Sequence, residues 1–128
     1  MAGEKILIVE DNPDNMKLFV SVLEIEGYRV IQAFSPRQVP DLVASERPVL
    51  VLMDIQLPEM DGVSLMKQIR ERMGAGQPVI VALTAHAMRG DDEKYLSAGF
   101  DGYLSKPISV REFPGQIRAY LERSGGNA

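Results

Sequence analysis

Apolar residues fall along the chain in two alternating textures: short unbroken runs, and longer stretches in which they return every three or four positions. Lys5 to Val9, Val49 to Met53 and Val79 to Leu83 are of the first kind. Runs without polar alternation mark strands covered on both faces, as in a parallel sheet between helical layers. Tyr28 to Ala33 alternates in part and reads as a strand nearer the sheet edge, and Gly102-Tyr103-Leu104 as a short fifth strand. Between them, Met16, Phe19, Val20 and Leu23 recur at helical spacing behind Asn12, a natural N-cap, and Pro13, suited to the first helical position; Gly27 supplies the stop. Val63, Met66 and Ile69, flanked by Leu65 and Met73, give a helix after Gly62. Ala87 to Ala98 suits a more polar helix closed by Gly99, and Ile117, Tyr120 and Leu121 carry the apolar face of the last one.

Two helices begin with the same device. Ser35 and Gln38 form a capping box with a staple from Phe34 to Val39, and Ser109 and Glu112 form another with a staple from Ile108 to Phe113. In each, a proline (Pro40, Pro114) then falls at the fifth position, where it removes a bond and crowds a carbonyl. Both helices are therefore expected to bend or restart there. Ser124 to Ala128 reads as a tail too polar and small to pack.

Strand and helix alternate five times, which calls for right-handed crossovers and an α/β doubly wound parallel sheet with helices on both faces. With no linker, internal repeat or low-complexity stretch, residues 1–128 are expected to form one domain.

Composition narrows the function classes. Hydrophobic residues make up 45% and charged residues 25%, ordinary for a packed globular chain, so disordered and fibrous classes drop out. There is no cysteine, which removes disulfides and thiolate metal sites. The apolar runs are far too short to span a bilayer and the amino terminus lacks a signal segment, so a cytoplasmic location is expected. A formal net charge of −4 disfavours nonspecific binding to nucleic acid or an anionic membrane and favours protein partners.

The candidate chemistry lies where the strands end. In open α/β sheets ligands sit beyond the carboxyl ends of the strands, and there the sequence puts Glu10 and Asp11 after the first, Asp54 after the third, Thr84 after the fourth and Lys106 after the fifth. Taken singly, an acidic pair is usually a solvated loop start, and a threonine or lysine an ordinary strand-end residue. Four strand ends in agreement are what carry the functional reading. Three carboxylates brought together repel one another unless a cation joins them; a hard divalent ion such as magnesium suits oxygen ligands and keeps waters that a phosphate can displace. Asp54 can act as a nucleophile toward phosphorus, with Lys106 and the metal neutralising charge and the Thr84 hydroxyl adding a hydrogen bond. An aspartate is ordinarily an anion at neutral pH, so no general base is needed. His86, the one histidine, has no second histidine or cysteine nearby and reads by default as a solvated residue at a helix start. The methionines read as core filling.

Glu10-Asp11, Asp54 within DIQLPEMDG, Thr84-Ala85 and Lys106-Pro107 together resemble the response-regulator receiver domains of two-component signalling, over nearly the whole chain. The resemblance implies a flavodoxin-like (βα)5 fold with strand order 2-1-3-4-5. It implies a phosphorelay function in which Asp54 takes a phosphoryl group from a histidine kinase or histidine phosphotransfer protein. Asp11, Asp54 and the backbone carbonyl of Gln56 would ligate Mg2+, with Glu10 acting through water. Thr84 and Tyr103 would be the switch pair acting on a downstream protein target, and Lys106 would bridge to the phosphoryl group, its bond to Pro107 being cis. His86, two residues after Thr84, stands where hydrolysis of the phosphoryl group can be modulated. Such a protein is no enzyme beyond self-phosphorylation and autodephosphorylation, and is a monomer or a weak phosphorylation-dependent homodimer. Met1 and the short tail favour a free-standing receiver without an output domain, although TAHAM at Thr84 to Met88 also resembles receivers of hybrid histidine kinases. Two rivals are weaker. Aspartyl-phosphate phosphohydrolases commonly place a second aspartate where Gln56 stands, and a flavodoxin-type carrier would not put an anionic Glu-Asp pair in its phosphate loop. Val49 departs from the family by standing where an aspartate often precedes the strand.

Overall fold

The computed structural model describes residues 3–55, 62–73, 78–84, 91–105 and 108–125. Its elements run β1 (Lys5–Val9), α1 (Pro13–Ile25), β2 (Arg29–Ala33), α2 (Val39–Glu46), β3 (Leu50–Asp54), α3 (Gly62–Met73), β4 (Val79–Thr84), α4 (Asp91–Ala98), β5 (Gly102–Ser105) and α5 (Phe113–Gly125). The strands pair in parallel in the order β2-β1-β3-β4-β5, the expected doubly wound arrangement with the partly alternating strand at an edge.

The unbroken apolar runs are explained by what lies on each side. One core joins Ile6 and Ile8 of β1, Leu50 and Leu52 of β3 and Val81 and Leu83 of β4 to α1 and α5; the other joins the alternate residues Leu7, Val9, Val51, Met53, Ile80 and Ala82 to α2, α3 and α4. Phe19 and Phe113, with ring centroids 5.6 Å apart, tie α1 to α5 within the first core. Met16, Met53 and Met66 are buried as filling. Burying a side chain of this size contributes roughly 1.5–3 kcal/mol, so the two cores carry the stability of a chain without cross-links.

Local signals set the helix ends. Asn12 caps α1, its side-chain oxygen accepting from the amides of Asp14 at 2.9 Å and Asn15 at 3.1 Å. At the other end Gly27 takes a left-handed φ of 95°, its amide bonds Glu24 and the amide of Tyr28 returns to the Leu23 carbonyl at 3.1 Å. That closure uses Tyr28 to seal the helix and bury its ring, so β2 starts one residue later than the alternation implies. Gly99, at φ 126°, ends α4 in the same way, with Phe100 bonding back to Tyr95 and the two rings meeting edge-on at 6.1 Å.

Of the two alternatives at the prolines, a bend or a restart, the second helix takes the restart, and the α-helical starts of both move to the residue before the proline. The Ser35 capping box forms, but it opens a 3₁₀ turn at Pro36–Gln38, and α2 restarts at Val39 with Pro40 in its second position. Ser109 likewise caps a turn, its Oγ accepting from Glu112 at 3.3 Å, and α5 begins only at Phe113 with Pro114 second. An amide in the first turn has no intrahelical partner, so its replacement by proline costs nothing there. The prolines set where these helices start instead of bending their interiors. At the carboxyl end α5 continues to Gly125, past the point where the sequence suggested a tail. The expected start of the fourth helix, Ala87 to Gly90, lies outside the described residues, as do Met60 and Met88.

Candidate functional site

Register brings the acidic groups together. Val9 pairs with Met53, so Glu10 and Asp54, one residue on in each strand, emerge at the same level of the sheet. Asp54 pairs in turn with Leu83, which sets Thr84 one step beyond it on β4, and Thr84 pairs with Ser105 on β5. Glu10 is held as the strand leaves the sheet: its amide donates to the Ala33 carbonyl at 3.0 Å, and its Oε2 accepts from the Asn12 amide at 3.1 Å. That second bond was not legible as a site feature. The only hint was that Asn12, two residues after the acidic pair, already had to turn the chain into α1.

Carboxylate oxygens of Glu10, Asp11 and Asp54 lie within 4.8 Å of one another. Glu10 and Asp54 are buried, at 1% and 5% exposure, while Asp11 faces solvent. Two unit charges at such a separation repel by about 3–4 kcal/mol in a medium of effective dielectric about 20. Three oxygen donors converging from two strand ends are the donor set of a hard divalent cation. The residues present thus fit a magnesium-type ion. Thr84, at 2% exposure, closes the same rim from β4.

On the far side of Asp54, the backbone is closely approached. The Ile55 amide donates to Leu83 at 3.0 Å and the Gly62 amide to Ile55 at 3.1 Å, and a Cβ on Gly62 would come within 3.0 Å of the Ile55 Cα and 3.3 Å of the Asp54 carbonyl oxygen. Glycine at 62 lets α3 begin directly under the site. Of the remaining sequence-derived candidates, Tyr103 lies on β5 with its side chain partly buried against the core beneath α2, α3 and α4. Gln56, His86, Lys106 and Pro107 lie outside the described residues.

The order of the strands, the alternating helices and the acidic rim define a receiver, and the family model agrees: the chain belongs to the response regulator receiver domain family, matched over residues 6–118. Among curated proteins it is 42% identical over 118 residues to the polar-differentiation response regulator DivK of Brucella anthropi, covering 92% of this chain and 96% of that one. The DivK of Brucella ovis matches to the same extent. Among solved structures, a CheY-like receiver domain protein from Methanospirillum hungatei superposes with a TM-score of 0.88 at 28% identity, covering 99% of this chain and 100% of the other. The receiver domain of sensor histidine kinase PA1611 from Pseudomonas aeruginosa, which carries a magnesium ion in its active-site cleft, gives a TM-score of 0.81 at 37% identity over 98% and 99% of the two chains. Among the described residues no helix is long and apolar enough to cross a membrane.

Proposed function

We propose that this receiver is a phosphorylation-dependent switch in a two-component phosphorelay, with Asp54 as the phosphoryl acceptor. The observation that carries the reading is the meeting of Glu10, Asp11 and Asp54 oxygens within 4.8 Å beside Thr84. The donor is a histidine kinase or a histidine phosphotransfer protein. An Asp54 carboxylate oxygen attacks phosphorus as the phosphorus–nitrogen bond of the donor's phosphohistidine breaks; the electron pair returns to the imidazole, which takes up a proton from solvent. Asp11, Asp54 and the Gln56 carbonyl would hold Mg2+, with Glu10 acting through a water, and the ion when bound would offset negative charge on the phosphoryl oxygens. Lys106 pairs with one of those oxygens and the Thr84 hydroxyl donates to another.

Thr84 can follow a phosphoryl oxygen only by moving toward the site, which opens space for the Tyr103 ring. The charge change at Asp54 is thereby passed to the surface formed by α4, β5 and α5, where a downstream protein is recognised. His86 influences the water that later hydrolyses the acyl phosphate. Similarity to DivK across 96% of that protein favours a stand-alone regulator of this kind, acting in the cytoplasm; the likeness to the PA1611 receiver supports the alternative of a receiver within a hybrid kinase, and the coding sequence on either side distinguishes the two.

Incubation with a small phosphodonor tests the metal assignment. One phosphoryl group per chain is expected with Mg2+ and little in excess chelator, and Asp11→Asn should lower uptake at limiting Mg2+. Uptake that is equal with and without the ion would contradict it.

A further inference from the structure

β5 is an edge strand, and Tyr120 of α5 reaches across to it. A Cβ placed on Gly102 would collide with the ring and hydroxyl of Tyr120, so this ring fills the space that another residue at 102 would need. Tyr120 Oη donates to the main-chain carbonyl of Tyr103 at 3.5 Å, and the ring is half-buried against the core beneath α1 and α5. The Tyr103 side chain packs with the other core, on the opposite side of the sheet. One face therefore grips the backbone of the residue whose ring lies on the other. Beside this grip a cleft of about 540 Å³ opens between β5 and α5, bordered by Leu104, Ile108, Gln116 and Tyr120. Gly102 and Tyr103 are thus where Tyr120 of the helix meets the strand, next to Leu104, which is buried in the core with Phe113 and Ile117.

We infer that Tyr120 is a positioning residue for Tyr103: it fixes the strand so that a change at Thr84 turns the Tyr103 ring instead of displacing the edge strand. The inference rests on Tyr103 acting as the switch. A ring moving between two sites transmits a defined change only if its Cα stays in place; an edge strand, paired on one side alone, yields more readily than an inner one. The hydroxyl can be removed alone, or the whole grip disturbed. Tyr120→Phe keeps the ring over Gly102 and removes the hydroxyl, whereas Gly102→Ala displaces ring and hydroxyl together. A neutral hydrogen bond at the long end of the range is worth about a threefold change in an equilibrium.

The test is the Tyr103 ring resonances of the full chain with and without beryllium fluoride and magnesium, in wild type, Tyr120→Phe and Gly102→Ala, with unfolding midpoints measured alongside. In wild type the mimic should move the Tyr103 resonances. In Tyr120→Phe the inward-to-outward ratio with the mimic bound should fall about threefold, the ring lines lying between the two wild-type positions, while phosphoryl uptake by Asp54 is unchanged. Gly102→Ala should lower the ratio at least as far. A wild-type Tyr103 that ignores the mimic would overturn the switch reading itself and this inference with it. A wild-type response reproduced in full by Tyr120→Phe would overturn the positioning role alone, whatever the midpoints show.

Discussion

Asp101, at the amino end of β5, is the sharpest test of how the sheet is held together away from the site. Its Oδ2 accepts from the Ile80 amide at 2.8 Å and from Arg70 of α3 at 2.7 Å, while Arg70 also donates to the carbonyls of Pro78 at 2.9 Å and Gly99 at 3.1 Å. One carboxylate thus links α3, the start of β4 and the turn leaving α4. In Asp101→Ala the amide of fully buried Ile80 loses this acceptor, a change costing about 1–3 kcal/mol. The ion pair adds less, because the Asp101 side chain is 40% exposed; solvent holds it to about 1 kcal/mol or below. The sum is about 1–4 kcal/mol, which at a urea m-value of about 2 kcal/mol/M lowers the midpoint by about 0.5–2 M. Asp101→Asn retains an oxygen for Ile80 and loses only the charge, so its midpoint should fall by about 0.5 M or less. Urea titrations followed by circular dichroism give both numbers. A fall below about 0.3 M for Asp101→Ala, or equal falls for the two variants, would refute the view that the Ile80 bond dominates.

Other consequences follow from single residues. Asn12→Ala should destabilise by about 1 kcal/mol through loss of the α1 cap, yet leave phosphoryl uptake in place, because Glu10 is held by the main-chain amide of residue 12; a calorimetric melt and intact mass check the two halves. Arg47 sits at φ 49° directly before Pro48, a left-handed conformation that costs a side-chain-bearing residue about 1–2 kcal/mol, so Arg47→Gly should stabilise by about 0.5–1 kcal/mol after the entropy it adds to the unfolded chain. A melting temperature that is unchanged or lower would count against strain there. His86→Ala should alter the lifetime of the phosphoryl group and not its uptake; a decay rate equal to wild type would return His86 to the solvated surface.

How much of this could be read from the residues depends on the range of the force involved. The strands were legible because burial on both faces leaves an unbroken apolar run, and the site carboxylates because each stands at the end of such a run: Glu10 after β1 and Asp54 closing β3. Helix α1 was legible at both ends from Asn12-Pro13 and Gly27, which act within a few residues. The starts of α2 and α5 were misplaced because a capping box also fits a 3₁₀ or single turn, and Pro40 and Pro114 then decide where the α-helix begins. What sequence concealed is long in range. Arg70 and Asp101 are 31 residues apart, and Gly102 signals a bend or a close approach without naming Tyr120 as the neighbour. The left-handed Arg47 is the C-cap that closes α2, its amide donating to the Val43 carbonyl at 3.0 Å, a position glycine usually fills and one that nothing in Arg-Pro announces.

The central claim is that Asp54 is the phosphoryl acceptor, and intact-mass measurement of wild type and Asp54→Asn after incubation with Mg2+ and a small phosphodonor tests it most directly. The amide variant preserves the size of the buried side chain and removes the nucleophilic oxygen. Wild type should gain one acid-labile phosphoryl group and Asp54→Asn none, whereas equal labelling of the two would place the acceptor elsewhere and contradict the account.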